Sequence, residues 1–322
     1  MPIPEEVQAW LLNESDPSVR YRVLRELLDR TESDPAVAAA RREIGVRGWA
    51  AEILSRQLPG GQWVTPGTSA QELYRPKYSA TNWSLIILAE LGADRSDPRV
   101  ARAAELMLDR FGDPADDNLG GEQSEVCFTG NCVRMMHRLG YGDDPRVVRA
   151  TEWLVAAQKA DGGWHCWPSE SGTLAAWEAL AALAAVPEPR RSPEIRRALD
   201  RGVEFYLERG LMRDDEGTYP PWLRIHYPRH YYYDVLVGLD ILTALGRGRD
   251  PRILPALAWL EAKRSPDGTW PLEALQPDLD PSDDYFDHQR TPYYPVGLEL
   301  VGRPSRWITA EALCVLRRSG RI

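Results

Sequence analysis

Phenylalanine is scarce in this chain of 322 residues: there are four, against twelve Trp and thirteen Tyr. The composition therefore favours aromatics with an apolar body and a polar tip, which suit a wet-edged pocket better than a dry core. Cysteine is sparse as well. Cys127, Cys132, Cys166 and Cys314 form no Cys-x-x-Cys pair and no dense framework. That excludes a disulfide-stapled scaffold and makes reduced thiols the expectation. Long apolar runs are missing too. The longest, Leu174 to Val186, is 13 residues and contains Glu178, whereas a bilayer span needs about 20. No Lys/Arg cluster is present, and 39 Lys and Arg against 48 Asp and Glu leave a net charge of −9. A nucleic-acid-binding role is excluded on that balance. Adsorption to anionic membranes is disfavoured, so peripheral membrane contact is left to a local apolar patch. The opening Met1-Pro-Ile-Pro-Glu-Glu lacks the basic and apolar regions of a signal peptide, and a cytoplasmic protein is expected. No segment alternates as a strand would.

What is present is punctuation. Asp-Pro recurs at Asp16, Asp34, Asp97, Asp144 and Asp250, with Ser192-Pro193 as a variant. An Asp or Ser side chain caps orphan N–H groups, and Pro at the first helical position has no N–H to leave unsatisfied, so each is a helix start. Leu91-Gly92, Leu139-Gly140 and Leu245-Gly246 precede three of them, and glycine just past a helix end is the usual left-handed cap. The starts from Asp97 onward lie 47, 48 and 58 residues apart. Such a period predicts stacked αα-hairpins that bury their apolar faces only against one another. Val147, Ala150, Trp153, Leu154 and Ala157 follow helical spacing. About thirteen helices fit, and the expected fold is all-α.

A second element follows the Asp-Pro helices: Gln57-Leu-Pro-Gly-Gly-Gln-Trp63, Gln158-Lys-Ala-Asp-Gly-Gly-Trp164 and Lys263-Arg-Ser-Pro-Asp-Gly-Thr-Trp270, with Glu216-Gly-Thr-Tyr219 as a degenerate copy. These pieces resemble the QW repeats of the squalene cyclase and protein prenyltransferase β-subunit superfamily. The resemblance implies an (α/α) toroid over residues 46–322, with residues 1–45 as a short helical N-terminal extension.

In a toroid, inner helices line a central cavity. The helices after the Gly-Trp turns should be the inner ones, and their starts and preceding loops hold a large share of the Trp, Tyr, His and Cys. The expected substrate-binding set is Tyr78, Trp83, Asn131, Trp167, Trp177, Trp222, His226, Tyr231 and Trp307, with Tyr74 and Lys77 nearby. Filling of the cavity by these aromatics explains the same pattern without a ligand.

Squalene cyclases start with a protonated aspartate in D-x-D-D. That run is absent here: Asp280-Pro-Ser-Asp283-Asp284 and Asp113-Pro-Ala-Asp116-Asp117 have one residue too many. Asp283, Asp284 and Asp287 fit D-D-x-x-D, a magnesium-diphosphate motif, but a solvated acidic loop accounts for them. Asp234, after three tyrosines, is the expected proton donor, with His230 and Tyr233 beside it. Burial among aromatics would raise its pKa, and the aromatic walls would stabilise carbocations. A helix-capping role explains Asp234 equally well. Cys127, His165 and Cys166 offer a zinc site of the kind the resembled transferases use, whereas two partly buried free thiols explain them more simply. His137, Cys132 and Cys314 read as helix-packing residues. Three functions compete: an isoprenoid-transforming enzyme acting on an apolar small molecule, a zinc-dependent thiol or alkyl-transfer enzyme, and a non-catalytic binding toroid.

Overall fold

A computed structural model describes residues 3–13, 16–63, 73–111, 119, 124–215, 217–276 and 298–322. The helix starts form as their chemistry dictates. Asp16, Asp34, Asp97, Asp144 and Asp250 each accept the backbone N–H two residues on at 2.8–2.9 Å, and Ser192 accepts that of Ile195. Where Arg follows the Pro, its guanidinium turns back onto the capping carboxylate, as Arg99, Arg146 and Arg252 do at 2.6–2.8 Å. Gly140 closes its helix in the left-handed conformation, with φ of 94°. No L side chain enters that region readily.

Thirteen α-helices result among the described residues. They are α1 (Glu5–Leu12), α2 (Pro17–Arg22), α3 (Pro35–Glu43), α4 (Gly48–Ser55), α5 (Thr81–Glu90), α6 (Pro98–Phe111), α7 (Val126–Leu139), α8 (Pro145–Ala156), α9 (Trp177–Ala185), α10 (Pro193–Glu208), α11 (Val235–Ala244), α12 (Leu254–Ala262) and α13 (Arg306–Arg318). No sheet is present among the described residues, only four isolated bridges. The expected all-α toroid of helical hairpins is the observed fold.

Helices α5, α7, α9, α11 and α13 are the inner set. Each packs on the next in that order, and each is buried on nearly all sides; every residue from Thr81 to Ala89 is buried. The outer helices α6, α8 and α10 bury one face only, which is the amphipathic pattern the sequence showed. Helix α2 and a π-helical turn, Val23–Leu27, lie against α13, and α2 also touches α4. Val7, Leu11, Val19, Val23 and Leu27 belong to the same hydrophobic core as the inner helices.

The Gly-Trp turns are fastened to the helices that precede them by one repeated device. The indole N–H of Trp63, Trp164 and Trp270 donates to the carbonyl ten residues earlier, on Ile53, Leu154 and Leu260, at 2.7–2.8 Å. Gln57 and Gln158 each donate twice: to the turn glycine four residues on, and to a carbonyl of the next outer helix, Arg99 or Ala198. One amide thus holds its own turn and clamps the following hairpin. Arg264 replaces the glutamine in the last copy and donates to Gly268.

Candidate functional site

The segment 225–234 occupies the middle of the ring. Its backbone carbonyls accept from Asn131 on α7 (to His230, 2.8 Å), Arg134 on α7 (to Arg229, 3.4 Å), Trp177 at the start of α9 (to Tyr231, 3.2 Å) and Gln276 (to Pro228). The His230 ring stacks on Tyr78 with centroids 4.8 Å apart and meets the edge of Trp83 on α5. Tyr227 stacks on Trp307 of α13. Side chains from α5, α7, α9 and α13 therefore enclose this strap, and it divides the interior into two mouths of different chemistry.

The mouth at the N-terminal ends of the inner helices is aromatic. One lobe of about 380 Å³ is lined by Cys127, Cys166, Trp167, Trp222, His226 and Tyr231–Tyr233 among others. A second lobe of about 430 Å³ is lined by Tyr74, Lys77, Trp83, Phe128 and Asn131, and it shares Glu125, Cys127, Trp167 and Tyr231 with the first. Each lies within the roughly 300–1,000 Å³ typical of small-molecule sites. Lys77 donates to the Tyr231 hydroxyl at 2.6 Å and sits over its ring.

The sequence-predicted residues distribute as follows. Trp167, Trp222, His226, Tyr231 and Tyr233 line the first lobe, and Trp83 and Asn131 the second. Tyr78 and Trp177 are buried in the packing around the strap, behind the walls. The Trp307 side chain, by contrast, lines the opposite mouth.

Asp234 is fully buried and spends both oxygens on structure. Oδ1 accepts the Val237 N–H at 2.9 Å as the cap of α11; Oδ2 accepts the His226 N–H at 3.0 Å and pairs with His226 Nδ1 at 2.9 Å. Burial lifts its carboxyl, but His226 and Arg229 outweigh that and hold it below the usual carboxylate range. The expected rise in pKa is therefore reversed. Tyr233 donates its hydroxyl to the Leu211 carbonyl. His230 is kept neutral: burial, then the charge of Arg134, holds it well below the usual imidazole range.

The zinc expectation is corrected. Among the described residues no three His, Cys, Asp or Glu side chains gather to hold a metal ion. The His165 ring folds back on its own loop, where Nδ1 accepts the Trp167 N–H at 3.0 Å. Cys127 and Cys166 line the same lobe, and the Cys166 thiol beside it pulls the Cys127 thiol below its ordinary range. The acidic runs holding Asp113, Asp116 and Asp117, and Asp280, Asp283, Asp284 and Asp287, lie outside the described residues.

Glu178 emerges only from the structure. It is the second residue of α9, with no exposed surface, and neither carboxyl oxygen has a hydrogen-bond partner. Burial, reinforced by Cys127, holds it well above the usual carboxylate range and so favours the protonated acid. It interacts electrostatically with both Cys127 and Cys166, which line the first lobe. Its one signal in the sequence was being the lone charge in the longest apolar run.

No protein-family model matches the chain. A stretch of 129 residues, 34% of the chain, is 31% identical to a squalene–hopene cyclase from Bradyrhizobium diazoefficiens, of which it spans 18% of the length. Among solved structures, a protein from Actinoplanes is 22% identical with a TM-score of 0.46, over 96% of this chain and 92% of that one. A variant of the type II terpene cyclase MstE from Scytonema, in complex with geranylgeranyl dihydroxybenzoate, is 15% identical with a TM-score of 0.44, over 95% and 88% of the two chains. Among the described residues no helix is long and apolar enough to cross a membrane.

Proposed function

We propose that the aromatic mouth takes an apolar, isoprenoid-type small molecule and that Glu178 is the proton source for carbocation chemistry on it. The observation that carries this reading is a fully buried, unpartnered carboxyl, pushed toward its protonated form, set behind the Cys127–Cys166 wall of an aromatic cavity. A buried carboxyl without partners destabilises a fold, and a strongly perturbed acid beside a pocket is a functional-site candidate on physical grounds. The partial sequence likeness to a squalene–hopene cyclase supports the same substrate class.

The chemistry balances simply. The Glu178 proton, relayed through the Cys127 and Cys166 thiols that stand between the acid and the lobe, adds to one carbon of a C=C bond, whose π pair becomes the new C–H bond. The neighbouring carbon becomes cationic, and Glu178 is left a carboxylate. The faces of Trp222, Tyr231 and Tyr232 then stabilise the cation through their quadrupoles. Loss of a proton from the rearranged cation returns the balance.

The test is Glu178→Gln, which keeps size and removes the proton. With geranylgeraniol, a linear isoprenoid alcohol, as probe, the wild type is expected to quench its tryptophan fluorescence on binding and to give a cyclised product by gas chromatography and mass spectrometry. Glu178→Gln should keep the quenching and lose the product. Product formation by Glu178→Gln at the wild-type rate removes Glu178 from the reaction. Quenching without product in the wild type leaves a binding toroid.

A further inference from the structure

The opposite mouth, at the C-terminal ends of α5, α7, α11 and α13, is a cavity of about 400 Å³ with a different lining. Six arginines meet four carboxylates there. Each acid is paired: Glu90 by Arg134 at 2.9 Å, Glu311 by Arg229 at 2.5 Å and by Arg22 at 3.2 Å, Asp240 by Arg318 at 2.8 Å, and Glu26 by Arg318 at 2.7 Å, with Glu90 Oε2 and Glu311 Oε2 left without a hydrogen-bond partner. The arginines are not used up by this. Arg229 spends only Nη1 on Glu311 and Asp240; its Nε and Nη2, the edge of a guanidinium that holds two oxygens at once, have no hydrogen-bond partner. Arg229 is 6% exposed. Arg134, 4% exposed, and Arg22 each leave Nε without a hydrogen bond as well. Arg138, at the exposed end of α7, lines the same cavity and makes no ion pair among the described residues.

Part of this cation excess answers the helix ends, whose carbonyls favour positive charge. That does not explain a buried fork left open. Leaving charged donors buried without acceptors is strongly destabilising unless something fills the place. Two parallel N–H groups match a tetrahedral or planar oxyanion, and guanidinium is the group of choice for phosphate recognition. An apolar ligand is refused by the same residues, since it would bury the guanidiniums against carbon.

We propose that this mouth is a binding site for a small phosphate-type oxyanion, held by the free edge of Arg229 with Arg134 and Arg22 around it and Arg138 at the entrance. The site is separated from the aromatic mouth by the 225–234 strap and does not depend on what the aromatic mouth binds. Because Arg229 belongs to that strap, an anion here would also fix the floor of the aromatic lobes.

Isothermal titration of the full chain with inorganic phosphate and with pyrophosphate, against acetate and sodium chloride at matched ionic strength, tests the proposal. Saturable heat with phosphate or pyrophosphate and none with chloride is expected. Arg229→Lys keeps the charge and loses the fork, so it should weaken binding about tenfold or more. Arg138→Ala, at an exposed position that leaves the fold intact, should weaken it less and lower its salt dependence. Equal heats from chloride overturn the proposal, as does acetate binding without phosphate binding, or unchanged affinity in Arg138→Ala and in whatever Arg229→Lys protein folds.

Discussion

Two carboxylates show how environment, not residue type, sets a role. Asp234 and Glu178 are both fully buried near helix starts, yet Asp234 meets three donors and its pKa is held down, while Glu178 meets none and its pKa is pushed well up. Asp234→Ala would orphan those donors and should lower stability by about 2–5 kcal/mol in urea unfolding; a loss below about 1 kcal/mol would contradict the assignment of Asp234 as a structural cap. Glu178 gives a pH signature. Its folded-state pKa is raised, so the folded state holds the proton more tightly than the unfolded chain does. Its contribution is then complete below the unfolded value of 4.5 and lost as pH rises through the folded one. The melting temperature of the wild type should therefore fall more steeply toward alkaline pH than that of Glu178→Gln. Parallel curves would contradict the burial argument. His230 acts in the opposite direction: its folded-state pKa is depressed, so its stabilising contribution is present above the unfolded 6.5 and lost as pH falls below it.

The elements divide into those the sequence made legible and those it did not. Helix starts at Asp-Pro, stops at Leu-Gly and the Gly-Trp turns depend on contacts within about ten residues, so their chemistry is visible in the chain order. The 225–234 strap is fixed by Asn131, Trp177, Gln276 and Tyr78 from distant elements, and nothing local in His226-Tyr-Pro-Arg-His230 announces a segment that crosses the ring. The displacement of Trp307 to the far mouth follows from the same strap, because Tyr227 covers it. Asp234 illustrates the intermediate case: its position was legible, its charge state was not, since that depends on His226 folding back onto it. Close packing of α7 on α9 is likewise a tertiary matter. A Cβ on Gly130 would lie 2.6 Å from the Glu178 carbonyl carbon and 2.8 Å from the Ala179 nitrogen, backbone that has no room to yield. Gly130→Ala should lower stability by about 1–3 kcal/mol through overpacking, with a matching fall in the urea midpoint; an unchanged midpoint would show that the two helices separate freely.

At the scale of the molecule, the ring is one core with two unlike mouths, aromatic at one end and arginine-rich at the other. Thiol chemistry reports on the first. Cys132 and Cys314 are buried and their thiols pushed up, Cys314 to about 12, while Cys127 and Cys166 line the aromatic lobe and Cys127 is pulled down. Iodoacetamide should therefore modify Cys127 first, and bound geranylgeraniol should protect it; labelling of Cys132 or Cys314 at the same rate would contradict the placement. That this cavity binds an isoprenoid and protonates it is the proposal on which the proposed function rests. Its most direct test is turnover of geranylgeraniol by the wild type in deuterium oxide, read by mass spectrometry of the product. A cyclised product carrying one deuterium on carbon is expected from the wild type and none from Glu178→Gln. A product without carbon-bound deuterium, or no turnover of a bound isoprenoid, would contradict it.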